Sequence, residues 1–215
     1  MAIKGAIFDM DGTLTDSMHL WVNMWKEYPL LRGVTPTEAD LKAMRGMMLD
    51  DMAKYMIAHM GMTDTPEELV ADINRQVEPG YFSQVEAKPT VVETLERLKE
   101  AGVKMVVATA TDRYLTEGCL TRLGLMKYFD RIYTAAEYGS KYESQIFKTA
   151  FADLGTPQEE TYVFEDTLAA IQGAKRAGLK VIAVADKWSA HNRDKIIDTA
   201  DFFYENLGNV DFSIL

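Results

Sequence analysis

The stretch AIFDMDGTLTDS, Ala6 to Ser17, decides how the rest of this chain is read. Ala6-Ile7-Phe8 closes an apolar run of the kind that forms a buried strand. The strand delivers Asp9 and Asp11 to a turn at Gly12. Residues i and i+2 of a strand share a side, so the two carboxylates start out close together at its carboxyl end. In open α/β sheets that edge is where ligands bind. Two anions held close repel unless a cation lies between them or one of them takes a proton. The pair points to a metal site, a shared proton, or both. The plainer alternative is a strand with an ordinary Asp-Gly turn. An EF-hand loop is excluded, because it needs further oxygen ligands and a closing Glu.

Composition sets the outer limits. At 215 residues the chain can bury one core with a modest inserted subdomain. Its 47% hydrophobic and 26% charged content is that of a soluble globular protein. No apolar run approaches the ~18–20 residues a bilayer demands, and the start, MAIKGAIFDMDG, lacks a signal-peptide layout. Cys119 is the sole cysteine, so no intramolecular disulfide forms, which fits a reducing compartment and makes the cytoplasm the expected location. Beside Leu120 it reads as a small buried apolar residue. The net charge is −10 and no Lys/Arg block appears, so neither a nucleic-acid nor a membrane partner is expected. An acidic protein that handles phosphorylated substrates needs a local positive site, from a metal ion and one or two placed cations. Oligomeric state is not encoded legibly.

After Ser17 the spacing turns helical. Met18, Trp21, Val22 and Trp25 mark one stripe, with Pro29 and Gly33 closing it. Thr35-Pro36-Thr37-Glu38 starts a second helix, Leu49 to Met60 makes a third stopped at Gly61, and Thr65-Pro66-Glu67-Glu68 opens a fourth running towards Val77. No strand is expected between residues 18 and 82. Most of the 13 methionines lie in this stretch, as core filler or as an adaptable apolar wall over a substrate. From Lys88-Pro89 the chain alternates: helix Val91–Ala101, strand Val103–Ala108, helix Leu115–Leu123, strand Arg131–Thr134, helix Ser144–Leu154, strand Thr161–Phe164, helix Leu168–Ala177 and a final strand Leu179–Ala185. The expected fold is α/β, a three-layer Rossmann-like parallel sheet carrying an inserted all-helical cap. The core would take residues 1–16 and 84–215, the cap 17–83, with hinges near Thr15–Ser17 and Phe82–Lys88. Right-handed crossovers bring the strands' carboxyl ends to one edge. Asp9/Asp11, Thr109 and Glu165/Asp166 then meet there. Each alone could be a helix N-cap; together they make a site.

The string from Asp9 to Ser17 resembles the first motif of the haloacid dehalogenase superfamily, DxDGT(L/V)xDS, and the resemblance extends over nearly the whole chain, with the cap placed as in β-phosphoglucomutase-like members. It implies phosphoryl transfer through an aspartyl-phosphate with Mg²⁺ as cofactor. On this sequence Asp9 would be the nucleophile. Asp11 would protonate the leaving oxygen and then help deprotonate water, its backbone carbonyl helping to bind metal. Thr109, with Ala110 beside it, would hold the phosphoryl group, Lys141 would balance its charge, and Glu165 with Asp166 would complete the metal set, Asp166 as the more direct ligand. The family often has K-P-x-P around that lysine. Here the run is Lys141-Tyr142-Glu143-Ser144, with no proline to fix φ.

Within the family, Asp11 favours phosphate-ester hydrolysis, because an alkoxide leaving group needs a proton; dehalogenases and phosphonatases typically lack an Asp there. A phosphomutase needs a second phosphate site, and the arginine expected a few residues beyond Arg45-Gly46 is replaced by Met47, Met48 and Leu49. The histidine expected after the first motif falls near Trp21, two positions from His19. The reading is a Mg²⁺-dependent phosphatase of a small phosphorylated metabolite, with a phosphomutase and a non-catalytic binding protein as alternatives. His19, Arg45 and Arg113 are candidate substrate contacts.

Overall fold

The computed structural model describes residues 3–44 and 47–213. Its elements in chain order are β1 (Gly5–Phe8), α1 (Met18–Leu31), α2 (Glu38–Met44), α3 (Leu49–Met60), α4 (Pro66–Ser83), α5 (Val91–Glu100), β2 (Lys104–Thr109), α6 (Arg113–Arg122), β3 (Arg131–Thr134), α7 (Ala135–Tyr138), α8 (Gln145–Leu154), β4 (Thr161–Glu165), α9 (Leu168–Arg176), β5 (Lys180–Val184), α10 (Arg193–Thr199) and β6 (Phe202–Tyr204). They form two compact units: the chain up to Asp16 with Val85 onward, and Ser17–Gln84.

The first unit is built on six parallel strands in the order β3-β2-β1-β4-β5-β6. The chain leaves β1 towards β2 on one side and returns to β4 on the other, so β1 and β4 flank the point where ligands bind in such sheets. Alternation divides the strand side chains between two faces. Ile7, Val106, Ala108, Val163, Val181 and Ala183 pack with Ile146 and Phe147 of α8 and Ile171 and Ala174 of α9. On the other face Phe8 stacks on Phe164 at 4.3 Å and meets Phe129 edge-on at 6.0 Å. Both faces are covered, which is why these strands read as unbroken apolar runs. Each fully buried side chain of this size contributes about 1.5–3 kcal/mol.

The sheet has one strand more than the sequence shows. Beyond β5, which was expected to be last, β6 pairs in register with Ile182–Val184. Its three residues are only half-buried and follow the polar helix RDKIIDT, so the run is too short and too exposed to show a period.

In the second unit the described residues form α1–α4 and no strand. Thr65 and Glu68 make a capping box at α4, with Pro66 at its first position. Pro36 stands one residue before the Thr37 cap, whose hydroxyl accepts the Asp40 N–H at 3.2 Å. Helix α4 continues through Pro79 to Ser83, beyond the Val77 expected from periodicity. Trp21 Nε1 donates to the Tyr81 hydroxyl at 2.6 Å and Tyr28 to Asp72 at 2.9 Å, joining α1 to α4. Met24, Met44, Met52, Met56, Met60 and Met62 are buried, as core filler requires.

No helix among the described residues is long and apolar enough to cross a membrane. Cys119 is fully buried, and burial pushes its thiol up to about 11. Native protein at pH 8.5 should therefore resist iodoacetamide, with alkylation at Cys119 appearing only on unfolding in urea. Rapid modification of the folded chain, read by mass spectrometry, would contradict this packing.

Candidate active site

Strand β1 stops at Phe8, and its ladder runs one step further: the Asp9 N–H donates to the Phe164 carbonyl at 2.9 Å. Since Phe8 pairs with Phe164, Asp9 lies beside Glu165. The turn after it is closed by Leu14 and Thr15 N–H bonds to the Met10 carbonyl, at 2.8 and 2.9 Å. Gly12 has φ +94°, and a Cβ there would lie 2.6 Å from Asp166 Oδ2. Glycine is what lets the turn approach the end of β4.

Asp9, Glu165 and Asp166 converge, each buried and each offering an oxygen within 4.8 Å of the others. Lys141 Nζ sits between two of them, 2.5 Å from Asp9 Oδ1 and 2.6 Å from Glu165 Oε1. The second oxygen of Glu165 accepts the N–H groups of Asp166 and Thr167, at 2.7 and 2.8 Å, and the Thr167 hydroxyl at 3.1 Å. Glu165 thereby fixes the turn that leads into α9 while holding the lysine. Asp166 accepts from Ser189 at 3.0 Å and Thr13 at 3.5 Å. Asp9 Oδ2 is buried without a hydrogen-bond partner among the described residues. The carboxylate of Asp11 turns elsewhere, accepting from Thr111 Oγ1 at 2.7 Å and Thr109 Oγ1 at 3.4 Å.

A second ammonium completes the electrostatics. Lys88 Nζ donates to the carbonyls of Gly12 and Ala185, at 2.6 and 3.0 Å, and to Asp186 Oδ2 at 3.0 Å. Asp9, Glu165, Asp166 and Asp186 thus face Lys88 and Lys141, which leaves two negative charges to be balanced. Burial raises the Asp9 carboxyl to about 8, with Lys141 opposing and Glu165 and Asp11 adding to the rise. Burial, then Glu165 and Asp9, holds Asp166 well above the carboxylate range. Burial alone would depress Lys141, but Asp9 and Glu165 outweigh it and keep the ammonium charged. The orphaned Asp9 oxygen, the all-oxygen donor set and the surplus of two negative charges fit a hard divalent cation.

The structure brings Asp9, Asp11, Thr109, Lys141, Glu165 and Asp166 to one edge of the sheet. Asp11's carboxylate stands outside the three-carboxylate group. Ala110 follows Thr109 and is exposed. His19 lies on α1 in the second unit and Arg45 outside the described residues. Arg113 is engaged structurally, with Glu137 at 2.5 Å, Glu117 at 3.1 Å and the Ile132 carbonyl at 3.0 Å. Sequence reasoning missed Lys88, Thr111, Asp186 and Ser189. Asp186 follows β5 as Glu165 ends β4, so the rule that found Glu165 reaches it too; Lys88 carries no local signal. The linker expected to hinge is itself paired: Thr15 bridges to Ala87, with Asp16 N–H on the Glu86 carbonyl at 3.0 Å and Lys88 N–H on that of Leu14 at 2.9 Å.

Comparison with known proteins places this arrangement. The sequence model of the family Haloacid dehalogenase-like hydrolase matches residues 6–184. The chain is 27% identical over 209 residues to a validoxylamine A 7'-phosphate phosphatase of Streptomyces hygroscopicus subsp. limoneus, covering 96% of this chain and 95% of that one. It is 25% identical over 181 residues to a phosphorylated carbohydrates phosphatase of Thermotoga maritima, covering 84% of each. The crystal structure of CbbY from Rhodobacter sphaeroides in complex with phosphate superimposes with a TM-score of 0.82 over 96% of both chains at 20% identity, a likeness of fold.

Proposed function

Because the chain belongs to the haloacid dehalogenase-like hydrolases, we propose that it is a Mg²⁺-dependent phosphatase of a small phosphorylated metabolite, working through an aspartyl-phosphate on Asp9. The observation that carries this is the buried Asp9 Oδ2, without a hydrogen bond among the described residues and beside the Lys141 ammonium, with a second carboxylate two residues on at Asp11. Asp9 Oδ2 attacks phosphorus and the P–O bond to the leaving group breaks. Asp11, held by the Thr111 hydroxyl, gives its proton to the departing oxygen and later takes one from the water that hydrolyses the acyl phosphate. Lys141 and Thr109 balance charge on the phosphoryl oxygens. Asp9 and Asp166, with Glu165 and the Asp11 backbone carbonyl, would hold Mg²⁺, which supplies the Lewis-acid charge that draws the anionic substrate to an acidic protein.

Relatives named for a validoxylamine phosphate and for phosphorylated carbohydrates support a carbohydrate-type phosphate monoester as substrate. A free, buried Cys119 suits a cytoplasmic setting. The test is phosphate release from a panel of phosphorylated metabolites with Mg²⁺. Release should stop with EDTA and return with added Mg²⁺. Release that persists in EDTA would remove the cation from the reading. Conversion of glucose 1-phosphate to the 6-phosphate, in place of release, would replace hydrolysis by the mutase alternative.

A further inference from the structure

Lys141 lies in the loop Gly139-Ser140-Lys141-Tyr142-Glu143-Ser144, which contains no proline and places Ser144 in the left-handed region at φ 65°. Within the loop, the Ser144 N–H reaches the Lys141 carbonyl at 3.2 Å and the Tyr142 N–H reaches Ser140 Oγ at 3.0 Å. These contacts span two or three residues and do not fix the loop on the sheet. Helix α9 does. A Cβ built on Gly173 would fall far inside van der Waals contact of the Lys141 carbonyl oxygen, so the bare face of the helix lies directly on the lysine's backbone. The guanidinium of Arg176 donates to the Tyr142 carbonyl, the next one along the loop. At its other end α9 follows the turn at Glu165, where one oxygen accepts the N–H groups of Asp166 and Thr167 and the other holds Lys141 Nζ at 2.6 Å. The stem of the lysine rests near Phe147, its Nζ 5.8 Å from the ring centroid, and the same ring lies 3.6 Å from the position of a Gly173 Cβ.

We propose that α9 is the template that sets the reach of Lys141, with Gly173 and Arg176 as positioning residues. The helix holds the lysine's loop at its backbone, and Glu165, at the end of β4 just before the helix, holds its ammonium. This does the work that prolines in the loop would otherwise do. The functional consequence rests on the reading of Lys141 as the phosphoryl-balancing cation; the structural one does not. A side chain at Gly173 must lift the loop from the helix and withdraw Nζ from Asp9. Misplacing a catalytic group by about 1 Å can cost on the order of 10²-fold in rate.

The experiment compares wild type with Gly173→Ala, Arg176→Met and Arg176→Lys. Reductive methylation of each full-length protein, read by mass spectrometry, reports how well Lys141 is held. Lys88, held by Gly12, Ala185 and Asp186 and by no residue of the Lys141 loop, is the internal control. Lys141 should be protected in wild type and in Arg176→Lys, and labelled at least about tenfold faster in Gly173→Ala. Arg176→Met should fall between them, and Lys88 should be unchanged throughout. Lys141 remaining protected in Gly173→Ala, or Lys88 becoming exposed together with it, would overturn the proposal. On the best phosphate substrate, Gly173→Ala should lower kcat by about 10²-fold with KM little changed. In a Lys141→Ala background the same substitution should cost less than about twofold, because residues acting through one another are not additive. A full further loss in that background would assign Gly173 a general structural role. If wild type releases no phosphate, the phosphatase reading fails, and the labelling arm still decides whether α9 positions Lys141.

Discussion

Asp9→Asn should release phosphate at least about 10³-fold more slowly than wild type under saturating Mg²⁺. The substitution keeps the shape of the side chain and removes its nucleophilic oxygen. It should also be gentle on the fold. Four carboxylates here face two ammoniums, so removing one negative charge relieves crowding, and an amide oxygen can still accept from Lys141. A melting temperature near that of wild type, together with lost turnover, is the expected pair of results. Full activity in Asp9→Asn would remove Asp9 as nucleophile. Lost activity with a collapsed melting temperature would show instead that the carboxylate is chiefly structural.

Lys141→Met should act in the opposite sense, with stability falling sharply alongside activity. The ammonium lies between Asp9 and Glu165 and is only 5% exposed, so methionine leaves two buried carboxylates without their common partner. Breaking such a buried pair costs about 3–5 kcal/mol, or roughly 10 °C in melting temperature for a domain of this size. Loss of charge balance on the phosphoryl oxygens should lower kcat by at least about 10²-fold. Mg²⁺ should restore part of the lost melting temperature, since a divalent cation supplies positive charge to the same carboxylates and stabilises only the folded state. A Lys141→Met protein that melts like wild type, measured by scanning calorimetry without metal, would show that the lysine does not balance this cluster.

The sequence alone determined the strand runs and what stands at their ends. Ala6–Phe8 and Met105–Ala108 are apolar without interruption because both faces of a parallel sheet are covered. The residues that break those runs, Asp9, Thr109, Glu165 and Asp166, are therefore the ones at the ligand-binding edge. The capping box at Thr65 and the stop at Gly61 were equally legible, because each is settled by a few neighbouring residues. Strand β6 was not, since three half-buried residues carry no period.

Only the tertiary structure decided where the cations stand and which oxygens they occupy. Lys141 reaches Asp9 across 132 residues of chain and Lys88 reaches Asp186 across 98. Nothing in Gly139–Ser144 or around Lys88 distinguishes these lysines locally from solvated ones. It is α9, lying bare at Gly173 against the Lys141 carbonyl, that turns a proline-free loop into a fixed one. Thr111 and Ser189 likewise acquire their roles through the carboxylates they meet. The physical reason is one of range. Periodicity and capping are set within a turn or two of chain, so they show which residues face the sheet. Which loops meet above its edge depends on how helices pack across the layers, and that is a property of the folded chain.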